Sequence, residues 1–271
     1  MMHVIVPATV GALASLAVAM LSAYLAARQQ RRSALDVEHR LLRESYLNPL
    51  RFHLVENHFR LVDTVERVEA AGGRFAEVDV VSAPEEISSK SASWFTGEGA
   101  RLTSAVYLSA CLFVHTARVR DNVPYLRLTA SVDTRLAELL LQVQIGFLKD
   151  RGIPYVLQNS IGHDLWHRED QRLRSYREFC DLLADPSTRV WFDPLIRVHL
   201  ETGRGEKLYR IRVLLDAIEQ LARFLDDCVS GGRSVTSRSN TERVARASYQ
   251  RSLADPGVNL HTQQADRDTA R

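Results

Sequence analysis

Apolar and polar positions divide the chain into one uncharged run, a long series of helix-like segments and a polar end. From Val4 to Ala27, "VIVPATVGALASLAVAMLSAYLAA" holds no charged residue, which exceeds the roughly 20 helical residues needed to span a hydrocarbon core. Pro7 falls in the first turn, where a missing backbone donor does little harm. The run predicts a transmembrane anchor over 1–27. Arg28, Arg31 and Arg32 follow at once, whereas the N-terminal flank carries only His3. Retention of positive charge on the inner side then puts the N-terminus outside and the rest of the chain in the cytoplasm, with these arginines at the membrane surface. A cleaved signal peptide is the alternative, since "SAYLAA" offers small residues, but the charged n-region it needs is missing. Gly11, Ser15, Ala19 and Ala23 recur every four residues and form a small-residue face on which the anchor could pack, a spacing that an Ala-rich span also meets by chance.

Beyond the anchor the spacing is that of an all-α protein. A basic juxtamembrane helix is expected over 28–47. A fresh helix then starts with Asn48 as N-cap and Pro49 in the first turn, buries Leu50, Leu54, Leu61, Val65 and Val68, and ends at Gly72 and Gly73. Residues 72–95 read as a loop, because "FAEVDVV" alternates like a strand without an evident partner, and Pro84-Glu85-Glu86 opens a helical turn near its end. "GARLTSAVYLSACLFVHTARVR" is apolar enough to resemble a second span, but His115, Tyr107 and its hydroxyls favour a buried core helix. "DTRLAELLLQVQIGFLKD" is apolar around much of its circumference and is expected to be central. Two shorter helices follow in "RLRSYREFCDLLADP" and "STRVWFDPLIRVHLE". A last helix has a seam of Leu208, Ile211, Leu215, Ile218, Ala222 and Leu225, too short for a free coiled coil. The expected cytosolic helical domain is 48–229. Residues 230–271, rich in Ser, Arg, Gly and Asn, are too poor in large apolar side chains to form a core and read as a disordered tail.

Composition narrows the class. A chain of 271 residues with a formal charge of +2 has no general attraction for nucleic acid or acidic substrates. Its partners are expected to be the lipid bilayer and a protein, either another chain or a second copy. Lys90, Lys149 and Lys207 are the only lysines among 35 basic residues, an Arg bias that suggests a GC-rich bacterial genome. Cys111, Cys180 and Cys228 are odd in number and apolar in setting, so they read as free thiols in a reducing compartment.

The string with most chemistry is "GHDLWH", residues 162–167, which sets His163 and His167 four apart as in the H-E-x-x-H motif of zinc hydrolases. Asp164 replaces the Glu that would activate the metal-bound water and is one methylene shorter. The flanks are polar, and no third ligand announces itself, Glu178 and Glu201 being merely available. A surface turn entering a helix explains the string better. Ser160, His163 and Asp170 lack the strand–turn–helix frame of a nucleophile set. "TGEGAR" and "TGRGEK" are not P-loops and read as helix caps. Arg118, Arg120 and Arg127 could meet a phosphate, or pair with surface acids. Two readings result: a membrane-tethered helical interaction or regulatory module with no cofactor, or a membrane-anchored metal-dependent hydrolase using His163 and His167.

Overall fold

A computed structural model of the chain describes residues 20–31, 33–34, 37, 40–126 and 130–230. Gly11, Ser15, Ala19, Arg32, Arg127 and the tail beyond residue 230 lie outside them, as does the anchor before Met20. The described part is mostly helical. Helix α1 (Asn48–Ala70) is followed by a 3-10 helix (Pro84–Ser89), α2 (Ala92–Thr96), α3 (Ala100–Leu126), α4 (Ala130–Leu148) and α5 (Tyr155–Leu165). A hairpin of two-residue strands, β1 (Trp166–His167) and β2 (Arg172–Leu173), leads to α6 (Tyr176–Ala184), α7 (Pro186–Arg189), α8 (Asp193–Gly203) and α9 (Leu208–Ser230).

No fresh helix starts at Asn48. The residues described from Met20 to Leu42 are helical, and Arg43–Leu47 forms a π-helical turn running straight into α1. Asn48 has helical dihedrals and donates its N–H to the Arg43 carbonyl, five residues back. Pro49 explains the widening: it has no N–H to return to the preceding turn and its ring crowds that turn. The expected apolar face of α1 is buried, with Leu50, Leu54 and Val68 fully enclosed.

Helix α3 is the central element and packs against α1, α2, α4, α5, α6 and α8. Ala100–Asp121 is, among the described residues, the one helical stretch long and apolar enough to cross a membrane, and 78% of that stretch is buried inside the protein. Gly162 on α5 lies against the α3 backbone: a Cβ there would stand 3.1 Å from the Phe113 carbonyl and the Val114 nitrogen. The first residue of "GHDLWH" therefore serves close packing of two helices.

Helix α4, expected to be central, is peripheral. It buries Leu136, Leu139, Leu140, Val143 and Phe147 and leaves Leu141 and Ile145 exposed. The seam of α9 is also rotated: Leu214 and Leu221 are enclosed with Ile211, Ile218 and Leu225, whereas Leu208, Leu215 and Ala222 are half-buried.

Residues 72–95 are tied to the domain. Phe75, Val78, Val81, Ile87 and Trp94 point into it. Arg204 holds the segment through Asp79 Oδ1 at 2.7 Å and the carbonyls of Val81 and Ser82 at 2.8 and 2.9 Å. Both glycine strings have packing roles. A Cβ on Gly205, at φ +74°, would meet the Gly73 carbonyl oxygen at 2.2 Å, and one on Gly99 would meet the Trp94 ring at 2.4 Å.

Candidate functional site

Where α5 ends, Trp166 takes extended dihedrals and the chain turns into the β1–β2 hairpin. "GHDLWH" thus leaves a helix rather than entering one. His163 sits in the last helical turn and His167 on β1, so the two imidazoles do not share a helix face as a zincin pair would. They do line one open cleft of 530 Å³, together with Asp164, Trp166, Arg168, Glu169, Arg174 and, across from them, Thr188, Trp191 and Phe192.

The hairpin is braced from below. Arg172 grips Glu178 with two 2.8 Å hydrogen bonds, and Glu178 also accepts the Ser175 N–H at 2.6 Å while Ser175 caps α6. The Arg172 guanidinium and the Ser175 donors hold the Glu178 carboxyl well below the usual carboxylate range. Glu178 is thereby committed to the hairpin. Glu201 is committed elsewhere, to Lys207 at 2.8 Å and the buried Arg210 at 3.1 Å. His167 Nδ1 accepts the Asp170 N–H at 3.3 Å, so the neutral ring carries its proton on Nε2 and offers the cleft a donor. Among the described residues no group of three or more His, Cys, Asp or Glu is arranged to hold a metal ion.

The proposed nucleophile set is not assembled: no hydrogen bond among the described residues joins Ser160 to His163 or His163 to Asp170, and Asp170 instead donates its N–H to His167 and pairs its carboxylate with Arg172, each at 3.3 Å. Arg118 lies 3.9 Å over the Trp166 ring and 5.2 Å from the Tyr46 ring, a cation–π stack that backs the cleft. Arg120 pairs with Asp121 at 3.7 Å. Arg174 Nε donates to the Asp164 carbonyl at 2.8 Å, and burial raises the Asp164 carboxyl pKa. The cleft therefore offers two exposed or half-exposed indoles, mixed charges and two imidazoles.

Sequence reading missed a second constellation. Ser109 Oγ donates to Asn57 Oδ1 at 2.8 Å and lies 3.0 Å from His199 Nε2. All three side chains are buried. Since the hydroxyl proton goes to Asn57, His199 acts here as donor rather than base, and no substrate reaches it; the group pins α1, α3 and α8 together. Separations of 52 and 90 residues hide it from any motif search. Beside it, His53 and His115 stack at 4.8 Å with rings 13° from parallel.

No protein-family model, no curated protein and no solved structure matches the chain.

Proposed function

We propose that the protein is a membrane-tethered interaction module, held by its N-terminal apolar run with the helical domain in the cytoplasm, and that the cleft between residues 163 and 192 receives a segment of a protein partner. The observation that carries this reading is the helix from Met20: Met20, Leu21, Tyr24 and Leu25 are 52–63% exposed on a segment continuous with the uncharged run and followed directly by arginines. Large apolar side chains left uncovered at this density are stable in lipid and costly in water. The cleft suits a peptide, because Trp191, 53% exposed, and half-buried Trp166 supply aromatic anchors while Arg168, Arg174 and Glu169 supply a polar rim. Segment 72–95, by contrast, spends its apolar residues on the domain itself.

Membrane sedimentation after carbonate washing, with a reporter fused after Asp227, tests the tether. The chain is expected in the pellet, with a reporter that works only in the cytoplasm. A chain in the supernatant, a periplasmic reporter signal, or a mature N-terminus near Ala27 would sink the anchor. One observation favours the hydrolase reading, namely that His163 and His167 line the same cleft.

A further inference from the structure

Helix α4 has an apolar strip that its own domain leaves uncovered. Leu141 and Ile145 are 48% and 43% exposed, and beside them on α9 Tyr209 and Val213 are 49% and 37% exposed. The two pairs form one surface. Gly146 brings the helices together, since a Cβ there would stand 3.0 Å from Leu214, and Lys149 lies 5.8 Å from the Tyr209 ring. At 100° per residue, Glu138, Leu141, Gln142 and Ile145 all fall on the outward side of α4, as does Lys149 just past its end, whose N–H still bonds the Ile145 carbonyl at 3.0 Å, with Leu136, Leu140 and Phe147 opposite.

The order along this strip is acid, two central apolar residues, base, with Glu138 also holding the exposed Arg135 of its own helix at 3.1 Å. Turned end for end, it complements itself: when Leu141 of one copy faces Ile145 of the other, Glu138 of each comes opposite Lys149 of its mate. A two-fold interface demands this kind of self-matching surface, and opposite charges in register are what favour it over the parallel arrangement, which would set like charges together. We infer that α4 is a homodimer interface, with α4 packed antiparallel on α4 of a second copy about a two-fold axis near Val143. The strip is small beside the roughly 800 Å² per partner of a stable interface, so association relies on the local concentration that a shared membrane gives; on that point the inference rests on the tether proposed above.

Cross-linking of the full-length chain tests it. Gln142 lies about 4 Å along the helix from its own copy in this register, and Arg135 about 25 Å, at 1.5 Å rise per residue. Mild oxidation of Gln142→Cys should give a disulfide-linked dimer well above the level of the unaltered chain, and Arg135→Cys should not. Glu138→Lys or Lys149→Glu alone should lower the Gln142→Cys yield about five-fold, on the scale of an exposed charge pair made repulsive. The two together should restore it. Equal yields from Gln142→Cys and Arg135→Cys, or charge reversals without effect, would overturn the interface. So would a strictly monomeric chain whose Gln142→Cys resists a water-soluble maleimide, because lipid or the C-terminal segment would then cover the face. The cross-link is read in whichever fraction holds the chain, with supernatant concentrated to equal content. Failure of the anchor then registers in the fraction, and failure of the α4 face in the cross-link.

Discussion

His115 and His199 are 4% and 2% exposed, and burial, helped by Arg118 and His53 for the first and by Arg210 and Arg60 for the second, pushes each ring's pKa down to about 3. Above the ordinary value of 6.5 both are neutral folded or unfolded. Below it the unfolded chain takes up protons that the folded core refuses, so stability is lost as pH falls from 6.5 toward the folded value, by about 1.4 kcal/mol per pH unit for each ring. The melting temperature is expected to fall steeply between pH 6.5 and 5, and His199→Gln, which keeps a donor for Ser109, should flatten that slope. An unchanged slope would refute the assignment. The exposed pair behaves differently. With Glu178 and Glu201 committed to arginine and lysine, and His167 protonated on Nε2, His163→Ala and His167→Ala should leave the fold and the zinc content of the purified chain unaltered. Near-stoichiometric zinc that disappears in both variants would make the hydrolase the leading reading.

At the scale of the element, helices announce themselves by period, but their buried side is set by neighbours. On α9, Leu214 and Leu215 are equivalent apolar residues in sequence, yet Leu214 is 1% exposed, against Gly146 of α4, while Leu215 is half-buried. Leu214→Ala should therefore cost about 2 to 5 kcal/mol, as should Leu140→Ala, and Leu215→Ala clearly less. Thermal melts of the three variants check the order, and equal losses at 214 and 215 would mean the helix is rotated. The same logic separates α3 from α4. Both are rich in Leu and Val, but α3 buries even its polar Thr103, Ser109 and His115 among its neighbours, whereas α4 presents Glu138, Gln142 and, just past its end, Lys149 on one side. Those three polar residues were legible and outweighed in the reading by the apolar average around them.

For the whole molecule, the position of α3 among its six helical neighbours makes its side chains reporters of global opening. Cys111 is 0% exposed, and burial pushes its thiol up to about 12, while Cys180 is half-buried with a thiol also raised by burial. Alkylation of Cys111 should thus follow the same urea dependence as loss of helical circular dichroism, with Cys180 reacting at lower urea through local opening. Reaction of Cys111 in the absence of denaturant at the rate of an exposed thiol would show that the α3 core is not closed. At this scale the tether and the α4 strip have separate readouts, the membrane fraction and the cross-link.

The apolar and polar order of the chain determined helix type, the enclosed face of α1 and the core character of Ala100–Asp121, because these depend on local backbone preference and on one residue's own need for burial. Tertiary structure alone decided the rest. Whether Pro49 interrupts a helix or widens it depends on what continues on either side, and it widened here into a π turn. The sides of α4 and α9 that face inward depend on which helices lie against them. The Ser109–Asn57–His199 cluster and the cleft holding His163 and His167 bring together residues from separate elements, and the free energy of such contacts resides in long-range packing that no short window of sequence contains.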